Sequence, residues 1–71
     1  MRPAVVRPGD VVIVAAFDDV PEHEFLVQEV YEDCVTGVAI TGPLAGEYGE
    51  PELAMIVRVV GPLGSQLSQQ A

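Results

Sequence analysis

An all-β domain is the fold this sequence predicts, and three observations predict it. The apolar residues come in short runs, none with the length or period of a helix. The runs are rich in β-branched residues: Val11, Val12, Ile13 and Val14 in one, Val35, Thr36, Val38 and Ile40 in another. Between them stand clusters of Gly, Pro, Asp and Glu, which is the chemistry of turns and loops.

The elements follow in order. Residues 1–8 read as an extended arm, because Arg2-Pro3 and Arg7-Pro8 push the backbone away from helix. Pro8-Gly9-Asp10 is a turn, and Val11 to Ala16 predicts the first strand. Its unbroken apolar character predicts burial on both faces. Asp18-Asp19-Val20-Pro21-Glu22-His23-Glu24 is an acidic loop, since Pro21 opposes a central strand. Phe25 to Tyr31 is the second strand. Glu, Leu and Gln there also favour helix, but Val27, Val30 and Tyr31 favour the strand.

Glu32-Asp33 forms a tight connection into Cys34 to Thr41, which alternates cleanly. One face of that third strand carries Val35, Gly37, Ala39 and Thr41, small enough for another layer to come close. Residues 42–51 read as a Gly-, Pro- and Glu-rich loop, and Glu52 to Ala54 as one helical turn. Met55 to Val60 is the last strand. The folded domain is therefore expected over residues 9–60. Residues 61–71 lose periodicity and are expected to be disordered.

Four or five short strands, a long loop after the first and a tight turn after the second suit a small closed barrel, which hides its strand edges. The opening Pro8-Gly9-Asp10-Val11-Val12-Ile13-Val14, and the turn Glu52 to Ala54 ahead of Met55, resemble the SH3-like small barrels. The resemblance covers roughly Pro8 to Val60 and is one of topology. It implies a docking module. There is no Trp and no Ala-Leu-Tyr-Asp-Tyr stretch, so it does not imply the polyproline-peptide groove of signalling SH3 domains.

Composition narrows the function. With 71 residues the chain has room for one domain, and its core is small. Cys34 is the single cysteine, so no intrachain disulfide can help, and self-association as a homodimer is one expected aid. A lone thiol suits a reducing cytoplasm, the expected compartment. The N-terminal arm lacks the apolar run of a signal peptide, and Val11 to Phe17 is too short to span a membrane. Net charge is −8, from 11 acids against Arg2, Arg7 and Arg58 with no Lys. Direct binding to nucleic acid or an anionic membrane is disfavoured, whereas an acidic face favours a basic partner. Solubility alone would also account for the charge.

Each group with chemical potential has a plainer reading. Asp18, Asp19, Glu22, His23 and Glu24 are the densest ionisable cluster, but their spacing matches no calcium loop, and a solvated loop explains them. His23 could serve as a pH-responsive contact or be an ordinary loop histidine. Gly42, Gly46 and Gly49 superficially resemble a phosphate cradle, yet the Lys that such a loop needs is missing and Glu47 and Glu50 would repel phosphate. Tyr48, flanked by those carboxylates, reads as a partner contact on a glycine-rich loop. Cys34 beside Asp33 reads as an unreactive thiol, and Arg58 as a cross-strand partner of Glu29 or another carboxylate.

No enzyme activity, cofactor or metal is expected. The leading expectation is an accessory or regulatory subunit that docks a larger protein with a basic surface. Its contacts would be Asp18, Asp19, Glu22, His23, Glu47, Tyr48 and Glu50. A second is an acidic mimic of nucleic acid that inhibits a DNA- or RNA-binding enzyme, which needs carboxylates in a duplex-like row. A third is a barrel that binds a small ligand or a metal.

Overall fold

The computed structural model describes residues 5–63. Within them the chain forms β1 (Asp10–Val14), β2 (His23–Val30), β3 (Val35–Ala39), β4 (Tyr48–Gly49), a 3-10 turn (Leu53–Met55) and β5 (Ile56–Pro62). The strands make one antiparallel sheet in the order β4-β3-β2-β1-β5. The all-β expectation holds, with the helical turn one residue later than expected. β5 runs on to Pro62, so Gly61 and Pro62 belong to the sheet and not to the expected tail. Gly61 sustains this with a φ of 125°, which a bulky residue would resist. The rest of the expected tail, 64–71, and residues 1–4 of the arm lie outside the described residues.

The link from β4 to β5 reveals the curvature of the sheet. Glu52 bridges Cys34, on the β4 side of β3, while the Ala15 amide donates to Met55 O on the β5 side of β1. In a flat sheet those outer positions would stand four strand spacings apart, about 19 Å. Residues 52 to 55 turn in 3-10 fashion, which advances about 2 Å per residue, or roughly 6 Å in all. The sheet must therefore curl until its two edges nearly meet. The Leu53 amide to Asp33 O (3.0 Å) and the Val35 amide to Pro51 O (3.0 Å) pin that corner.

The concave side holds the core: Val12, Val14, Phe25, Val27, Val35 and Ala39, with Val6, Leu44, Met55, Ile56 and Val59 packed against them. β1 is buried along its whole length, as its apolar run predicts. Each fully buried valine contributes about 1.5–2 kcal/mol, so this small cluster carries most of the stability. Asp10 is buried with a partner, its Oδ2 accepting the Arg7 amide at 3.0 Å.

Irregularities sit where side chains demand them. The β2–β3 register slips between Val27 and Glu29, which leaves Gln28 without a partner on β3. Gly37, opposite Val27, lies under that bulge: a Cβ there would come within 1.9 Å of Leu26 O and 3.0 Å of the Phe25 ring. No other residue fits. β5 slips twice against β1, which leaves Val57 and Val60 unpaired, and such bulges blunt an edge strand against further pairing. Arg58 aligns with Ile13, and Ile13 with Glu24. β1 thus separates Arg58 from β2, and of the strand carboxylates expected near it, Glu29 or another, the one in its row is Glu24.

Candidate functional site

Two loops that the sequence separates converge at one end of the sheet. In the first, Phe17 and Val20 exchange backbone hydrogen bonds at 2.9 and 2.7 Å around a two-residue turn. Asp18 takes a φ of 48° there, a left-handed conformation that Asp tolerates better than most residues. In the second, Gly42 has a φ of 81°, and a Cβ on it would press His23 Cβ at 3.3 Å. The Glu24 amide donates to Thr41 Oγ1 at 2.9 Å and the Ile40 amide to Glu24 O at 2.9 Å, which ties the start of the second loop to β2 just after the first.

Between them lies a pocket of about 350 Å³. Val14, Phe25, Ala39 and Met55 from the core line it, with Phe17 from the first loop and Leu44 from the second. His23 and residues 47–51 complete the lining. Four of the seven contacts predicted from sequence therefore border one cavity, although the Tyr48 ring and the Glu50 carboxylate lie together on the other face of the sheet. Asp18, Asp19 and Glu22 are exposed on the adjoining loop and do not line it.

Two of the four sit differently from expectation. His23 is not an exposed loop residue: it opens β2, pairs with Val14 and is only 6% exposed. Its Nδ1 lies 2.9 Å from Pro21 O, and its ring centroid 6.2 Å from that of Phe17. Tyr48 stands on a strand, β4, where the sequence suggested only loop. Its neighbour Gly49 faces the Phe25 ring, 3.5 Å from where a Cβ would be, so alternation turns Tyr48 to the opposite side of the sheet. There it is 60% exposed, and its hydroxyl donates to Glu50 Oε2 at 2.9 Å.

The electrostatics follow from these contacts. The bond to Glu50 holds the Tyr48 phenol above its usual range, helped by desolvation and by the charge of Glu50. Tyr31 donates likewise to Glu29, and that bond with the Glu29 charge raises its pKa too. Desolvation, then the charges of Asp33, Glu50 and Glu52, push the Cys34 thiol up. Cys34 adjoins the far end of β2 from His23, about 20 Å away at strand rise, so the two cannot act as a pair. Among the described residues no three His, Cys, Asp or Glu side chains converge to hold a metal ion. No helix among them is long and apolar enough to cross a membrane.

The walls Phe17, Phe25, Leu44 and Met55 come from four separate segments, and nothing local in the sequence marks them as one surface. The glycines carry the only signal: Gly37 and Gly49 are paired across β3 and β4, beneath Phe25. No family model matches this chain, and no curated protein or solved structure matches it.

Proposed function

We propose that this chain is a non-catalytic interaction module, an accessory or regulatory subunit that docks a larger protein with a basic surface. The observation that carries the reading is an apolar pocket lined by Glu47, beside a loop bearing Asp18, Asp19 and Glu22 and with the Glu50 carboxylate on the neighbouring face next to Tyr48. Apolar walls supply affinity that does not depend on salt, while carboxylates around the opening favour cations and hasten encounter. The strand order and the 3-10 turn before β5 support an SH3-like small barrel as the scaffold. A net charge of −8 on so small a body supports a basic partner.

The test is capture from host lysate by the native chain and by the quadruple variant D18N/D19N/E47Q/E50Q, at low and physiological salt. The expected result is one large protein retained by the native chain and lost by the variant. Equal capture by both sinks the reading. A captured nucleic-acid enzyme that DNA competes away would favour mimicry instead.

A further inference from the structure

We propose that the pocket takes an aromatic side chain bearing its own N–H or O–H, a tryptophan or tyrosine, with a basic residue beside it on the same partner segment. The proposal rests on the docking reading above and names what is docked.

His23 supplies the first argument. It is more than nine-tenths buried and lines the pocket. Its Nδ1 sits 2.9 Å from the Pro21 carbonyl oxygen. A carbonyl can only accept, so Nδ1 must carry the proton. In the neutral ring Nε2 is then a bare acceptor, and among the described residues His23 has no second side-chain hydrogen bond. A buried acceptor without a donor is unfavourable, and a ligand that brings an N–H or O–H relieves it. An aliphatic anchor or a phenylalanine would fill the same volume and leave Nε2 unsatisfied.

The walls supply the second. Phe17, Phe25 and the His23 ring offer aromatic surface, and Met55 offers a polarizable thioether; both favour a ring over a branched aliphatic group. The cavity, about 350 Å³, has room for one large side chain. The third is Glu47 on the pocket lining, which favours an ammonium or guanidinium next to that ring.

Tryptamine combines ring, N–H and cation in one probe, and N1-methyltryptamine lacks only the N–H. Each would be titrated into the native chain near neutral pH and followed by NMR. Tryptamine should shift Phe17, His23, Phe25, Leu44 and Met55. The N1-methyl compound should bind about two- to tenfold more weakly, the range of one neutral hydrogen bond. Equal or tighter binding of the methylated probe overturns the donor requirement and leaves the docking reading standing. No shift with either probe at roughly 10 mM, the affinity scale of so small a ligand, overturns both. His23→Phe keeps a ring and removes the acceptor, so the two probes should then bind alike. A persisting preference for tryptamine in that variant overturns the role of His23. If the variant does not fold, the pair of probes on the native chain still decides.

Discussion

Two apolar hollows mark this small sheet, and the larger is the less informative. The one near β5, about 460 Å³, is lined by Val5, Val6, Val30, Leu53, Ile56, Val57 and Val59, with Arg58 as its one charged residue among those described. The other, about 350 Å³, has aromatic walls, a buried imidazole and Glu47. In the first, the chain's own arm lends Val5 and Val6, and Val6 packs on the core. Aliphatic surface of that sort accepts any apolar cover and specifies none. Orientation and choice of partner come from a few fixed polar atoms, which the smaller hollow has. Volume alone is a poor guide to function.

Several changes would break or sharpen that contrast, the largest first. Phe25→Ala removes the ring between core and pocket and should cost about 3–5 kcal/mol. A domain of this size has on the order of 5 kcal/mol in total, so chemical denaturation should find the variant largely unfolded. Gly37→Ala drives a Cβ into the Leu26 carbonyl, a backbone atom that cannot step aside. It should cost about 3 kcal/mol, read as a lower denaturation midpoint with an unchanged slope. Val6→Ala, in the aliphatic hollow, should cost about 1 kcal/mol and leave partner capture as it was. Glu47→Gln with Glu50→Gln should do the reverse, with stability within about 0.5 kcal/mol of native and capture weakened most at low salt. If Val6→Ala and the glutamate pair move both readouts together, the contrast between the two hollows fails.

The smallest effect concerns the tyrosines. The chain has two and no Trp, so ultraviolet absorbance reports Tyr31 and Tyr48 alone. Both folded-state values lie above 10.0, so folding favours the protonated phenols. Their contribution to stability is full below the unfolded value and is lost as pH rises through the raised folded ones. Glu29→Gln should move one transition down and Glu50→Gln the other. A titration unchanged by both would remove the two phenol–carboxylate bonds.

The four long strands and the turn before β5 were legible because β-branched runs between turn residues have few other solutions. β4 was not. Two residues, Tyr48 and Gly49, pair with β3 inside a glycine-rich stretch, and a pattern of period two needs more than two positions to be seen. The placement of His23 was misread for a related reason: β2 begins immediately after Pro21 and Glu22, so the acidic run conceals a buried strand position. The acids of the two loops were legible as a group, and their meeting place was not, because Thr41 and Gly42 set the second loop against the start of β2 by contacts far apart in sequence.

The Leu63 amide donates to Gly9 O at 3.2 Å. Residues 9 and 63 are therefore neighbours, one hydrogen bond apart, near both limits of the described chain. A body with adjacent ends behaves as a cassette: it can be set into a surface loop of another protein without prising its host apart. By the same geometry a linker from residue 63 back to residue 5, which keeps Val6 on the core, with new ends opened between Glu32 and Asp33, should yield a circular permutant that keeps the pocket whole.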